Sequence, residues 1–182
     1  MTPLSGSVVK GPVNGAQVCA YKAISSGKGD LIKCVTSSAV GTYSMEVDFR
    51  GDIVVEASGG TYTDEATNET KTFSDPLQVV VASQGAATTG IITPLTAVAY
   101  SIAKGSGGVT SASFGTAATS VASQFQLGTV NIATTMPTVT GATNAYGQLL
   151  KAVSQYVANG NTLSSFVNFT SPATFQAAFS TA

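Results

Sequence analysis

Histidine and tryptophan are both absent from this 182-residue chain. Without histidine there is no commonest general base, no usual zinc ligand and no usual partner for a catalytic serine. Charge is scarce as well, at 9% of residues, where about a quarter is ordinary for a globular domain. The deficit is uneven. Residues 1–76 hold all nine acidic and six of the eight basic side chains, and residues 77–182 hold only Lys104 and Lys151. No basic patch exists, which argues against a nucleic-acid partner. No apolar run approaches the roughly 18–20 residues of a membrane span. The opening MTPLSGS has neither a basic nor an apolar leader region, so any export signal is expected to have been removed already.

What remains in the second half is a surface of Ser, Thr, Asn and Gln. Such a surface repels copies of itself weakly, because net charge is what keeps proteins apart in solution. Only two cysteines are present, Cys19 in AQVCAYKAI and Cys34 in DLIKCVTSS. If Ile24 and Gly29 pair across a Ser25–Lys28 loop, directly opposed residues keep a constant sum of numbers, and Cys19 faces Cys34. Opposed Cβ atoms on one face lie about 4.5–5.5 Å apart, close enough to bridge. The other reading is a pair of buried free thiols. CxxC spacing is missing and there are too few other ligands for zinc. A disulfide here points to an oxidising compartment outside the cytoplasm.

Up to about residue 83 the pattern is strands and short turns, about seven strands in all. The clearest is GTYSMEVDF, where Tyr43, Met45 and Val47 alternate with Ser44, Glu46 and Asp48, the signature of a half-buried strand. The polar, glycine-bearing ASQGAATTG then marks a switch of period from two to 3.6, near Gly85–Gly90. In ITPLTAVAYSIAKG, Thr93 is placed as N-cap, Pro94 as the first helical residue and Gly105 as terminator. Further helices are expected within 110–127, around Tyr146–Val157, at TLSSFVNF and at SPATFQAAFS, with 129–142 a loop. The expected fold class is α+β: a seven-stranded antiparallel β-sandwich over residues 1–86, with a small helical region over 87–182 packed on it. The helices' apolar stripes are too narrow for a core of their own.

The series SGSVVKGPVNGAQVCAYKAI, SSAVGTYSMEV and GDIVVEASGGTYTDEAT resembles the carboxypeptidase-regulatory-like family, related to transthyretin-like and Cna-B domains. The likeness spans about residues 4–83, and the helical part is more loosely similar to tails that follow such domains in bacterial envelope lipoproteins. This resemblance implies a sandwich used as a spacer, adhesive or accessory module in exported proteins, without catalysis. Cna-B relatives often join a lysine to an asparagine with help from an acidic residue. Lys10 on the first strand matches the lysine, with Glu46 or Glu56 to assist, but PLQVVVAS supplies no asparagine.

Three of the nine acidic residues crowd into VEASGGTYTDEAT. Asp64 and Glu65 are adjacent, so on a strand they point to opposite faces and make no acid–base pair. Asp64, Glu65 and Glu69 offer oxygen ligands for calcium, but the spacing is not that of a calcium loop. The favoured reading is a Gly59-Gly60 bend and a solvated acidic hairpin that guards a sheet edge. GSGG at 105–108 follows a helix instead of opening one, so it is a linker and not a phosphate loop. Asn68 and Asn168 begin glycosylation sequons. Six tyrosines offer a stacking face for a sugar or serve the core equally well. The expectation is therefore a non-catalytic extracellular or cell-surface protein, structural or adhesive, partnered by itself or by a surface ligand, and without a cofactor. A glycan-binding module, with Tyr62 and the acidic turn at its rim, is the alternative.

Overall fold

A computed structural model describes residues 1–64 and 67–167 of the chain. Nine strands come first: β1 (Thr2–Val8), β2 (Gln17–Ile24), β3 (Gly27–Thr36), β4 (Thr42–Val47), β5 (Gly51–Ser58), β6 (Thr61–Thr63), β7 (Thr70–Thr72), β8 (Leu77–Ser83) and β9 (Thr88–Ile92). Helices α1 (Pro94–Gly105), α2 (Ser111–Gln124), α3 (Ala145–Ala158) and α4 (Leu163–Val167) follow. The fold class is thus mixed α+β, with strands preceding helices. The helix expected at SPATFQAAFS lies outside the described residues, as does the end of TLSSFVNF.

Two sheets dominate, ordered β4-β1-β9 and β3-β2-β5-β8, with β6-β7 as a separate ribbon. On β4 the expected alternation holds: Tyr43, Met45 and Val47 are buried while Ser44 and Glu46 face solvent. In β5 and β8 the apolar residues run on without alternation because both faces are covered. Ile53, Val54 and Val55 are fully buried, and α1 packs along β8.

Two expectations about strands need correction. The described residues form nine strands instead of seven, and pairing is not wholly antiparallel, since β9 runs parallel to β1. That strand, β9, takes in residues 88–90, the end of the polar ASQGAATTG stretch, together with Ile91 and Ile92. Its Thr-Thr-Gly-Ile-Ile sequence carries no period of two, so nothing local announces it. Glycine at the crossing permits it. A Cβ on Gly6 would stand 1.8 Å from the Gly90 carbonyl oxygen, which also accepts a 2.6 Å bond from the Tyr43 hydroxyl.

The β2–β3 hairpin brings the two cysteines together, though by a different route from the one expected. Ile24 pairs with Gly27, not Gly29, so the turn holds only Ser25 and Ser26. Irregularities between Ala20 and Tyr21 and between Tyr21 and Ala23 then shift the register, until Cys19 stands opposite Cys34. The Cys19–Cys34 disulfide closes there, with an S–S distance of 2.01 Å. These shifts and the exposed Lys28, Asp30 and Lys33 also guard β3, which is an end strand of its sheet.

The helices begin as their sequences dictate. Thr93 caps α1, its hydroxyl accepting from the N–H groups of Leu95 and Thr96, with Pro94 in the first turn. The same hydroxyl lies 2.7 Å from that of Tyr146, which in turn donates to the Ile132 carbonyl. Because Thr93 Oγ1 accepts from the helix and Tyr146 gives its proton to Ile132, Thr93 is the donor between them. One buried chain of bonds thus ties α1, α3 and the 129–142 loop. Asn144 caps α3 and also holds that loop through Thr138 N–H and the Met136 carbonyl. The buried side chains of the sheets and of the described helices form one continuous core.

Candidate functional site

A recess of about 600 Å³ opens where the two principal sheets end side by side. Both β8 and β9 are end strands, joined by the short turn at 84–87. One wall is built from Val80 and Ala82 of β8 and from Thr89 of β9. The opposite wall is α2, which presents Phe114 and Gly115, and the floor runs along residues 128–134. Asp52 on β5 sets the position of α2, since its carboxylate accepts the Ser111 N–H at 2.9 Å in the helix's first turn. None of the described residues lining the recess is charged. Its volume falls within the roughly 300–1,000 Å³ typical of ligand sites. Chemically it offers apolar contact, hydroxyls, the Asn131 amide and backbone groups, a set suited to an uncharged occupant.

The acidic stretch is built differently from the solvated hairpin expected. Gly59 and Gly60 do form the bend, both with positive φ. At Gly60 a Cβ would stand 2.4 Å from the Asn14 carbonyl oxygen. Asp64, however, is fully buried. Its Oδ1 accepts from the N–H and hydroxyl of Thr67, and its Oδ2 lies 3.3 Å from Lys71 Nζ. The carboxylate therefore closes the β6–β7 turn and neutralises a lysine on the facing strand. Glu69 is solvent-exposed, and Glu65 lies outside the described residues. Among the described residues no group of three potential metal ligands comes together.

Lys10 falls in the turn after β1 instead of on that strand, and is buried. Its ammonium donates to the Tyr62 hydroxyl and stands 4.4 Å over the Tyr62 ring. Glu46 is exposed, and Glu56 is occupied by Lys28 at 2.7 Å and by Gln78 at 2.8 Å. Tyr62 itself is buried, edge-on to Phe73. Tyr43, Tyr100 and Tyr146 are buried too, so four of the six tyrosines serve the core and no stacking platform is presented at Tyr62. Burial pushes the phenols of Tyr43 and Tyr146 well above their ordinary range.

No helix among the described residues is long and apolar enough to cross a membrane. No family model, no curated protein and no solved structure matches this chain. The recess was missed by sequence reading because its walls come from four separate segments of ordinary Val, Thr, Ala and Gly residues. The signal that was available is indirect: the lack of charge after Pro76.

Proposed function

We propose that this is a non-catalytic extracellular or cell-surface protein, structural or adhesive in role, that acts by presenting surface and associates with copies of itself. Its two principal sheets are read as a carboxypeptidase-regulatory-like sandwich of a bacterial envelope protein, on which the helical region is packed. The observation that carries this reading is the charge distribution: residues 77–182 have only two charged side chains, and the described residues that line the recess beside β9 include none. The Cys19–Cys34 bridge supports a place outside the cytoplasm.

Association through such a surface rests on apolar and hydroxyl contacts, with few ion pairs for salt to screen. Sedimentation and electron microscopy over a range of protein concentrations test it. Oligomers or fibres should grow with concentration and change little between low and high salt. A chain that stays monomeric at high concentration while binding a defined sugar tightly overturns the proposal in favour of a glycan-binding module.

A further inference from the structure

We infer that the uncharged recess beside β9 is the seat of self-association, taking an extended, uncharged segment of a second copy as an added strand. This rests on the self-association reading above and names the surface that performs it. The first observation concerns backbone direction along β9. Val9 N–H, just past the end of β1, donates to the Ile92 carbonyl at 2.9 Å, so Ile92 faces the β1 side. Ile91 addresses the other side, where its N–H donates 2.7 Å to the Ala133 carbonyl. Backbone groups alternate along a strand, so Thr89 turns its N–H and carbonyl away from β1 as Ile91 does. The loop at 131–134 thus supplies one rung of pairing on the outer edge of β9. At Thr89 that edge opens into the recess, and β9 is the last strand of its sheet.

Unlike β3, this edge is guarded at Ile91 alone, by the 131–134 loop, and is left open at Thr89. Neither a charged residue nor a proline stands on β9, and its ladder with β1 shows no register shift. A strand laid on such an edge gains main-chain hydrogen bonds, and alternate side chains enter whatever lies beside it. Here they meet Phe114 and the open space over Gly115, where an added Cβ would touch nothing within 4 Å.

Charge selects the occupant. A recess without a countercharge excludes Lys, Arg, Asp and Glu, because a buried unpaired charge is strongly unfavourable. Segments from the helical half of a second copy satisfy that condition, since that half holds only Lys104 and Lys151.

The test uses the full chain and two variants. Gly115→Phe fills the recess from a helix position with free space around it. Thr89→Pro removes an N–H on the outer edge of β9. Dissociation constants are measured by analytical ultracentrifugation, with circular dichroism to verify folding. Each variant should weaken association at least tenfold, and Gly115→Phe should keep the wild-type melting temperature. If Thr89→Pro disturbs the sheet, Gly115→Phe alone decides. Wild-type association in a folded Gly115→Phe variant overturns the recess as the seat and leaves self-association standing. A wild-type chain that never associates overturns both.

Discussion

Replacing both bridging cysteines by alanine should lower the stability of the fold by about 3 kcal/mol. The bridge closes a 15-residue span, for which the chain-entropy relation gives about 10 cal/mol/K, or about 3 kcal/mol at 25 °C. A chain of 182 residues unfolds with roughly 2.1 cal/mol/K per residue, about 380 cal/mol/K in all, so Tm should fall by about 8 °C. Where the loss appears matters as much as its size. As an end strand, β3 has its backbone ladder with β2 alone, and its register shifts twice between the cysteines and the turn. Without the bridge β3 should open before the rest, so its amides should exchange faster while those of β5, between β2 and β8, stay protected. Thermal melts by circular dichroism give the first quantity and hydrogen exchange read by mass spectrometry the second. A Tm within about 2 °C of wild type, or faster exchange spread evenly over β3 and β5, would refute the reasoning. Two free thiols in protein recovered from its native host would end the compartment argument as well.

Gly6→Ala should abolish folding or reduce stability by several kcal/mol. Its Cβ would meet the Gly90 carbonyl oxygen at 1.8 Å, between two backbones that have no flexible end to move; soluble yield and urea denaturation measure it, and a wild-type midpoint would show that β1 and β9 do not approach so closely. Alkaline pH should weaken the fold through Tyr43 and Tyr146, whose buried phenols hold their protons above the ordinary value of 10.0 that applies once the chain unfolds. Above that pH the folded state binds more protons than the unfolded state, so their contribution is complete below pH 10 and is lost as pH rises, by about 1.4 kcal/mol per pH unit per tyrosine. Urea midpoints between pH 9 and 11.5 should show this decline, shallower in Tyr43→Phe, and a flat profile would contradict it.

The parts of the fold that were legible in the sequence are those whose cause is local. The alternation of Tyr43, Met45 and Val47 needs only a covered face, and Thr93-Pro94 announces a helix because cap and first turn are adjacent residues. The cysteine pairing was also legible, although the turn was placed two residues too wide. The bulges offset that error before the cysteines are reached. By contrast, β9 owes its existence to β1, some eighty residues earlier, and its Gly-Ile-Ile end has no pattern of its own. The burial of Asp64 was equally hidden. It depends on Lys71 across the hairpin and on Thr67 closing the turn, and a cluster of acidic letters reads as solvent-facing until those partners are placed. The recess has no characteristic residue type at all, so only the three-dimensional arrangement reveals it.

The middle position of β1 in its sheet has a consequence for the order of events at birth. β1 occupies residues 2–8, yet one of its two neighbours is β9, which is not complete until residue 92. A chain delivered N-terminus first therefore emerges with its central strand incompletely partnered for most of the strand-forming region. Closing so long a loop is entropically slow, and the reward comes only when both ends are present. Assembly of this sheet is timed by its last strand, because β1 cannot complete its pairing until residue 92 is available. The same delay leaves one side of β1 exposed to strangers until β9 arrives, which is the interval in which crowding by other copies would do the most harm.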